Sequence, residues 1–170
     1  SINTVSGNAM KKGIKIQNLV EPSHYLFADK NLALQVFNNL LSNAVKFTKR
    51  GDSITISAKP STALRFMQFS VKDSGRGIKP ENVSKLFNIE TKFTSEGTAG
   101  EKGSGMGLSL VKEIILKHGG TIDVKSEYEK GTEFIFSLPV ASAKILLVEP
   151  NKRDRILYSK ILMNIASDYA

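Results

Sequence analysis

Apolar and polar positions alternate in distinct rhythms along the chain. Alternation in Ile14-Lys15-Ile16-Gln17 predicts a first strand, which Glu21-Pro22-Ser23 interrupts. Asp29 then stands as an N-cap before a helical pattern over about 30–48. Ala33, Val36, Phe37, Leu40, Leu41 and Ala44 form one apolar stripe on that helix. Asn39, Asn43 and Lys46 recur at i, i+4 and i+7, so they form a separate polar line. Near period-two alternation over 53–59 and 66–72 predicts two further strands. Residues 105–118 read as a second helix, with Leu108, Val111, Ile114 and Ile115 inward and Gly119-Gly120 as its stop. Two last strands, 121–126 and 132–138, form a hairpin-like pair around Glu129-Lys130-Gly131. Residues 1–13 are polar, end in Lys11-Lys12-Gly13, and read as a frayed leading segment.

Between the strand at 66–72 and the helix at 105–118 lies a stretch, 74–104, that is glycine-rich, polar and mostly aperiodic, with room for a short helix near 81–87. Loops this long in a compact domain are usually lids, binding loops or disordered segments. After Pro139 the texture changes. Residues 143–148, apolar apart from Lys144, read as a short strand like those buried in parallel sheets, and 152–165 form an amphipathic pattern with Ile156, Leu157, Ile161 and Leu162. A βα pair of that size cannot bury both strand faces alone, so it reads as the start of another domain.

Composition narrows the classes. At 170 residues and 41% hydrophobic content the chain is long enough for one cored domain with an appendage, and 24% charge is ordinary for a globular protein. No apolar run reaches the length of a membrane span or a signal-peptide core. Cysteine is absent, which excludes disulfides, thiolate metal sites and a cysteine nucleophile. The net charge of +8 is spread out, +6 up to Pro139 and +2 beyond, and no window is dominated by basic residues. Nucleic-acid binders concentrate charge and interleave aromatics. The balance here favours an anionic ligand or partner.

Three segments can carry chemistry. Two amides and an ammonium in Asn39-Leu-Leu-Ser-Asn43-Ala-Val-Lys46 can ligate a hard cation and neutralise phosphate, although the line taken alone is more often a solvated helix face. Asp73-Ser-Gly75-Arg-Gly77-Ile78 places a carboxylate at a strand end, where it can accept from an exocyclic amine; alone, it is more often a turn. Gly103-Ser-Gly105-Met-Gly107-Leu108 runs into a helix start, where N–H groups and the macrodipole favour anions; alone, it is as often a flexible loop. It is neither the dinucleotide fingerprint nor a P-loop, because the spacing differs and no strand precedes it.

In this order, together, the three resemble the ATP-binding domain of sensor histidine kinases, in the GHKL superfamily with gyrase, MutL-type repair proteins and heat-shock chaperones. The resemblance spans 14–139 and rests on NNLLSNAVKFT (38–48), DSGRGI (73–78), 86–110, KHGGTI (117–122) and KGTEFIFSLP (130–139). It implies an α+β fold, a two-layer α/β sandwich of the Bergerat type, with a mixed, mainly antiparallel sheet covered on one face by the two helices and a lid at 74–104. It also implies ATP and Mg²⁺ as cofactors. In the family the asparagine matching Asn43 ligates Mg²⁺, Asn39 and Lys46 sit near the phosphates, and Asp73 accepts from the adenine amino group. Gly75 and Gly77 permit the base's approach, Gly103, Gly105 and Gly107 offer N–H groups to phosphate, Thr132 contributes near adenine, and Lys92 is a lid contact to phosphate. Phe47, Ile78, Ser104, Met106 and Leu108 complete the expected nucleotide-binding set.

The superfamily's ATP hydrolases carry glutamate where Asn39 stands, and an amide cannot take a proton from water. The resemblance therefore implies a domain that holds ATP–Mg²⁺ and donates its γ-phosphate to a histidine on a separate dimerisation and phosphotransfer domain, with little autokinase activity by itself. The middle block looks most like the hybrid kinases, and 143–162 is similar to the opening of a receiver, although Pro150 stands where a second acid usually follows Glu149. On this reading 1–13 is the tail of a preceding phosphoacceptor domain, 140–170 a linker and receiver start, and a receiver or response regulator a partner. Neither His24 nor His118 resembles the phosphoacceptor; surface or structural roles are expected for both. The segment is expected to be cytoplasmic, with no direct membrane contact and no nucleic acid partner. Rival readings are an ATP/ADP-sensing regulatory module and a GHKL-type protein serine kinase.

Overall fold

The computed structural model describes residues 2–22, 25–88, 94–101, 103 and 105–141. The elements run α1 (Ile2–Lys12), β1 (Lys15–Asn18), α2 (Lys30–Phe47), β2 (Ser53–Pro60), β3 (Phe66–Asp73), α3 (Pro80–Val83), α4 (Gly107–Lys117), β4 (Ile122–Glu127) and β5 (Gly131–Pro139). Asp29 caps α2 as expected: its carboxylate accepts from the N–H groups of Asn31 and Leu32 at 2.8 and 2.9 Å.

The five strands form one sheet in the order β1-β2-β3-β5-β4. β1 pairs with β2 in parallel, which a chain can achieve only through a crossover, here α2; the other pairs are antiparallel. Strand alternation decides what faces the helices. Met67, Phe69 and Val71 of β3 and Phe134, Phe136 and Leu138 of β5 are buried, as are Val36, Leu40, Leu41 and Ala44 of α2 and Val111, Ile114 and Ile115 of α4. The rings of Phe37, Phe69 and Phe136 meet with centroids 5.2–5.4 Å apart at the centre of this layer. The opposite sheet face is more polar, and there Ser70 donates to Glu133 at 2.6 Å. The expected two-layer architecture is thus the observed one.

Three details depart from the sequence expectation. Residues 2–12, read as a frayed leading segment, form a helix. Val5 and Ala9, one turn apart, supply a narrow apolar contact with the core, and Ala9 is buried. So small a stripe among polar residues leaves almost no helical periodicity to read. The fold also runs past Pro139: Leu26 bridges Val140, and the N–H of Ala141 donates to the Tyr25 carbonyl at 2.8 Å. Finally, the helix near 81–87 is a single turn over Pro80–Val83 followed by turns. The receiver-like strand and helix at 143–165, and His24, lie outside the described residues. No helix among the described residues is long and apolar enough to cross a membrane.

His118 ties the two large helices together. Its Nδ1 lies 2.8 Å from the Ile114 carbonyl, and its Nε2 accepts from the N–H of Asp29, the α2 cap, at 3.2 Å. One ring nitrogen must donate and the other accept, so the ring is the neutral Nδ1–H tautomer. A structural role was expected, and the geometry specifies it. His118→Ala should lower the unfolding free energy by about 1–2 kcal/mol, read as a lower urea midpoint at unchanged slope. An unchanged midpoint would show that the tie contributes nothing.

Candidate functional site

The same strand alternation that builds the core carries a carboxylate into it. Asp73 continues the inward series Met67, Phe69, Val71, and Thr132 continues Phe136, Phe134; the two are cross-strand partners at one end of the sheet. Both are buried, Asp73 to 5% exposure. A cavity of about 510 Å³ opens there, between the sheet end, α2, the start of α4 and the 74–104 stretch. Its lining includes Asn39, Asn43, Lys46, Phe47, Asp73, Gly77, Ile78, Gly103, Gly105, Gly107, Leu108 and Thr132, so twelve of the sequence-selected residues converge on one space.

Backbone donors fix one side of the Asp73 carboxylate. Its Oδ1 accepts from the N–H groups of Gly75 at 2.9 Å and Thr132 at 3.3 Å. Both hydrogen bonds described for the carboxylate fall on Oδ1, which leaves Oδ2 for a donor in the cavity. Burial pushes the Asp73 carboxyl up to about 6, against the opposing pull of the two N–H donors, with Asp52 adding slightly to the rise. Around it Ile78, Leu86, Leu108 and Phe134 supply apolar surface suited to a flat base. Ser126 fixes this wall: its Oγ accepts from the Ile78 N–H at 2.9 Å, donates to the Gly131 carbonyl at 2.9 Å and lies 3.0 Å from the Thr132 hydroxyl.

The polar line on α2 faces the other part of the cavity. Asn39 is anchored through its Nδ2 to the Gln35 carbonyl at 2.8 Å, and its Oδ1 sits against Gly107 at the start of α4. Asn43 lines the cavity, and no hydrogen bond is described for its side chain. Lys46 donates to the Ser95 carbonyl at 2.7 Å and lies 4.8 Å from the Phe47 ring centroid. Burial lowers the Lys46 pKa, while Glu101 raises it and Arg76 lowers it further. The start of α4 has no side-chain cap, so its first N–H groups are available to an anion.

Backbone packing gives Gly75 and Gly77 a steric requirement of their own. A Cβ on Gly75 would strike the Phe47 carbonyl, and one on Gly77, at φ +65°, would strike the Glu127 carbonyl. The glycines let backbone meet backbone. Gly75 does not line the cavity; Gly77 does. Met106 also stays off the lining, its side chain turned outward and 56% exposed at the helix start. Ser104 and Lys92 lie outside the described residues.

Sequence reasoning missed Arg76, Ser95 and Ser126. Arg76 donates to the Glu96 carbonyl at 2.8 Å and lies 5.4 Å from the Phe47 ring centroid. It stands inside the Asp-Ser-Gly-Arg-Gly motif, and its charge beside the expected anion site was the available signal. Ser95 and Ser126 had none, because a serine's tertiary partner leaves no mark on local pattern.

The family model described as histidine kinase-, DNA gyrase B- and HSP90-like ATPase matches residues 28–142. The chain belongs to this family. It is 44% identical over 105 residues to the sensor protein SrrB of Staphylococcus aureus, a match covering 62% of this chain and 18% of SrrB. Its fold superposes on full-length ShkA, crystallised with AMPPNP, with a TM-score of 0.68 at 30% identity over 85% of this chain and 29% of ShkA. The catalytic domain of the histidine kinase ThkA matches with a TM-score of 0.65 at 28% identity, over 81% of this chain and 89% of that domain. The chain is therefore a histidine-kinase-type ATPase domain that spans about a fifth of the length of SrrB.

The raised Asp73 pKa carries a stability cost with a definite sign. A carboxyl whose folded pKa lies above its unfolded value near 3.8 contributes stability only below that value, and loses it as pH rises through about 6. Asp73→Asn keeps the Oδ1 acceptor and removes the charge. It should raise unfolding free energy at pH 8 by on the order of 2 kcal/mol, with the gain shrinking below pH 6 and absent near pH 3.5. Urea unfolding of both proteins across that range checks this, and a gain independent of pH would contradict it.

Proposed function

We propose that the chain binds ATP with Mg²⁺ and serves as the phosphoryl-donating domain of a sensor histidine kinase, passing the γ-phosphate to a histidine on a separate helical domain. The observation that carries this reading is the buried Asp73, with Oδ1 taken by two backbone donors and Oδ2 left for a third. An adenine amino group supplies that donor, and Thr132 with Ile78, Leu86 and Phe134 offers the remaining polar and apolar contacts for the base. The triphosphate then extends toward Lys46 and the uncapped start of α4, where an ammonium and free N–H groups match its charge.

The residues present fit a magnesium ion, provided the nucleotide completes its shell. Among the described residues no cluster of three or more His, Asp or Glu side chains exists to cage a metal. The Asn43 amide oxygen is a hard ligand, and Mg²⁺ usually keeps waters and shares phosphate oxygens instead of taking an all-protein site. When bound, the ion would neutralise charge gathering on the phosphates. The protein's own part is positioning: Asn43 and Lys46 fix the polyphosphate, and Asp73 fixes the base at the far end.

Asn39 supports donation over hydrolysis. It occupies the place of the hydrolases' glutamate, has no basic site for a water proton, and is tied to the Gln35 carbonyl. ATP is thereby held until an acceptor arrives. His118 is committed to the tie between α2 and α4, and neither it nor His24 resembles the family's phosphoacceptor, which supports an accepting histidine on another domain.

Calorimetry with ATP and ADP, with and without Mg²⁺, tests the reading. The chain should bind both nucleotides. Asp73→Ala should weaken ADP about ten- to a hundredfold, the loss of one charge-assisted hydrogen bond; unchanged ADP affinity would place the base elsewhere. Asn43→Ala should weaken binding more in the presence of Mg²⁺ than in its absence. Equal losses under the two conditions would leave Asn43 a purely structural residue.

A further inference from the structure

Lys12 lies in α1, outside the 28–142 region common to the family, yet its ammonium reaches the edge of the nucleotide site. It donates to the carbonyls of Val45 and Lys46 at 2.8 and 3.1 Å and to Glu101 Oε1 at 2.6 Å. Those three bonds use all the donors an ammonium has. The side chains are 16% and 37% exposed, so the pair stands partly out of water.

Glu101 folds the loop around itself. Its Oε2 accepts from the Ala99 N–H at 2.8 Å, and its carbonyl accepts from the Gly97 N–H at 2.9 Å. Burial pushes the Glu101 carboxyl up, but the hydrogen bond from Lys12, those of the Glu101 and Ala99 N–H groups and the Lys12 charge outweigh it, so its pKa falls below the usual value. The same loop then docks on α2: Thr98 donates its N–H to the Lys46 carbonyl at 2.9 Å and its hydroxyl to the Thr48 carbonyl at 2.8 Å. Ser95 in turn receives the Lys46 ammonium, and Thr94 and Ser95 line the cavity. A continuous chain of polar contacts therefore runs from α1 through Glu101 and the 94–101 loop to the lysine expected to meet phosphate.

We propose that Lys12 is a positioning residue for the phosphate side of the site: by clamping Glu101 to the end of α2 it seats the 94–101 loop and aims Lys46, so that the placement of α1 sets affinity for the triphosphate. This rests on the ATP reading above. An isolated ion pair of this exposure would contribute little. The sharing of one ammonium between the α2 carbonyls and the loop gives this pair its leverage.

The test uses the whole chain with Lys12→Met, Glu101→Ala, the double variant and Lys12→Arg. Calorimetry compares ATP–Mg²⁺ with adenosine, which has no phosphates, and amide exchange without nucleotide follows Gly97 and Thr98. Each single variant should weaken ATP roughly three- to tenfold and leave adenosine unchanged. The double variant should be no worse than either single, Lys12→Arg should stay within about twofold of the parent, and Gly97 and Thr98 should exchange faster in both singles. Unchanged ATP affinity, equal losses for ATP and adenosine, or additive losses in the double variant would overturn the proposal. If the parent chain bound no ATP, the ATP reading would fail. Exchange would then decide the seating by itself, with unchanged protection in Lys12→Met overturning it.

Discussion

The last turn of an α-helix leaves carbonyls that the helix cannot satisfy, and in α2 these decide how the site is assembled. The Val45 and Lys46 carbonyls receive Lys12 from α1, and those of Lys46 and Thr48 receive Thr98 from the long loop. The Phe47 carbonyl receives the N–H of Arg76, from the segment after β3, at 3.0 Å. Three segments far apart in sequence are thus drawn to one turn, whose side chains Asn43, Lys46 and Phe47 line the cavity. The requirement for glycine at 75 follows from the same convergence, since the chain carrying Arg76 must pass directly against the Phe47 carbonyl.

A second constraint sits at the sheet end. The inward face of β3 and β5 is apolar until Asp73 and Thr132, where alternation forces two polar residues into the core layer. Burial of the carboxylate opposes folding at neutral pH, and the Gly75 and Thr132 donors only partly offset it. Such a conflict between local chemistry and core placement is expected at functional positions. Here it places a carboxylate in the cavity wall, beside Thr132 and the apolar surface of Ile78, Leu86, Leu108 and Phe134.

Much of this was legible in the sequence. Periodicity located α2, α4 and the strands within a few residues, because each carries a wide apolar face. Asn39, Asn43 and Lys46 were readable as a line by spacing alone, and Asp73 by its place at a strand end. The order of three weak motifs indicated the family more sharply than any one of them. What escaped has a common cause. The docking of Thr98, the reach of Lys12 and the bond from Ile78 to Ser126 join residues tens of positions apart, and neither propensity nor periodicity records them. Gly75 was readable as a close approach, but its packing against the Phe47 carbonyl was not.

The central claim is that Asp73 reads the amino group of an adenine base. The most direct measurement compares ATP with inosine triphosphate, which presents an oxygen acceptor in place of that amino group and keeps the same sugar and phosphates. A carboxylate facing that oxygen has no donor to accept from, so ATP should bind at least about tenfold more tightly. Equal affinity for the two nucleotides would contradict the account.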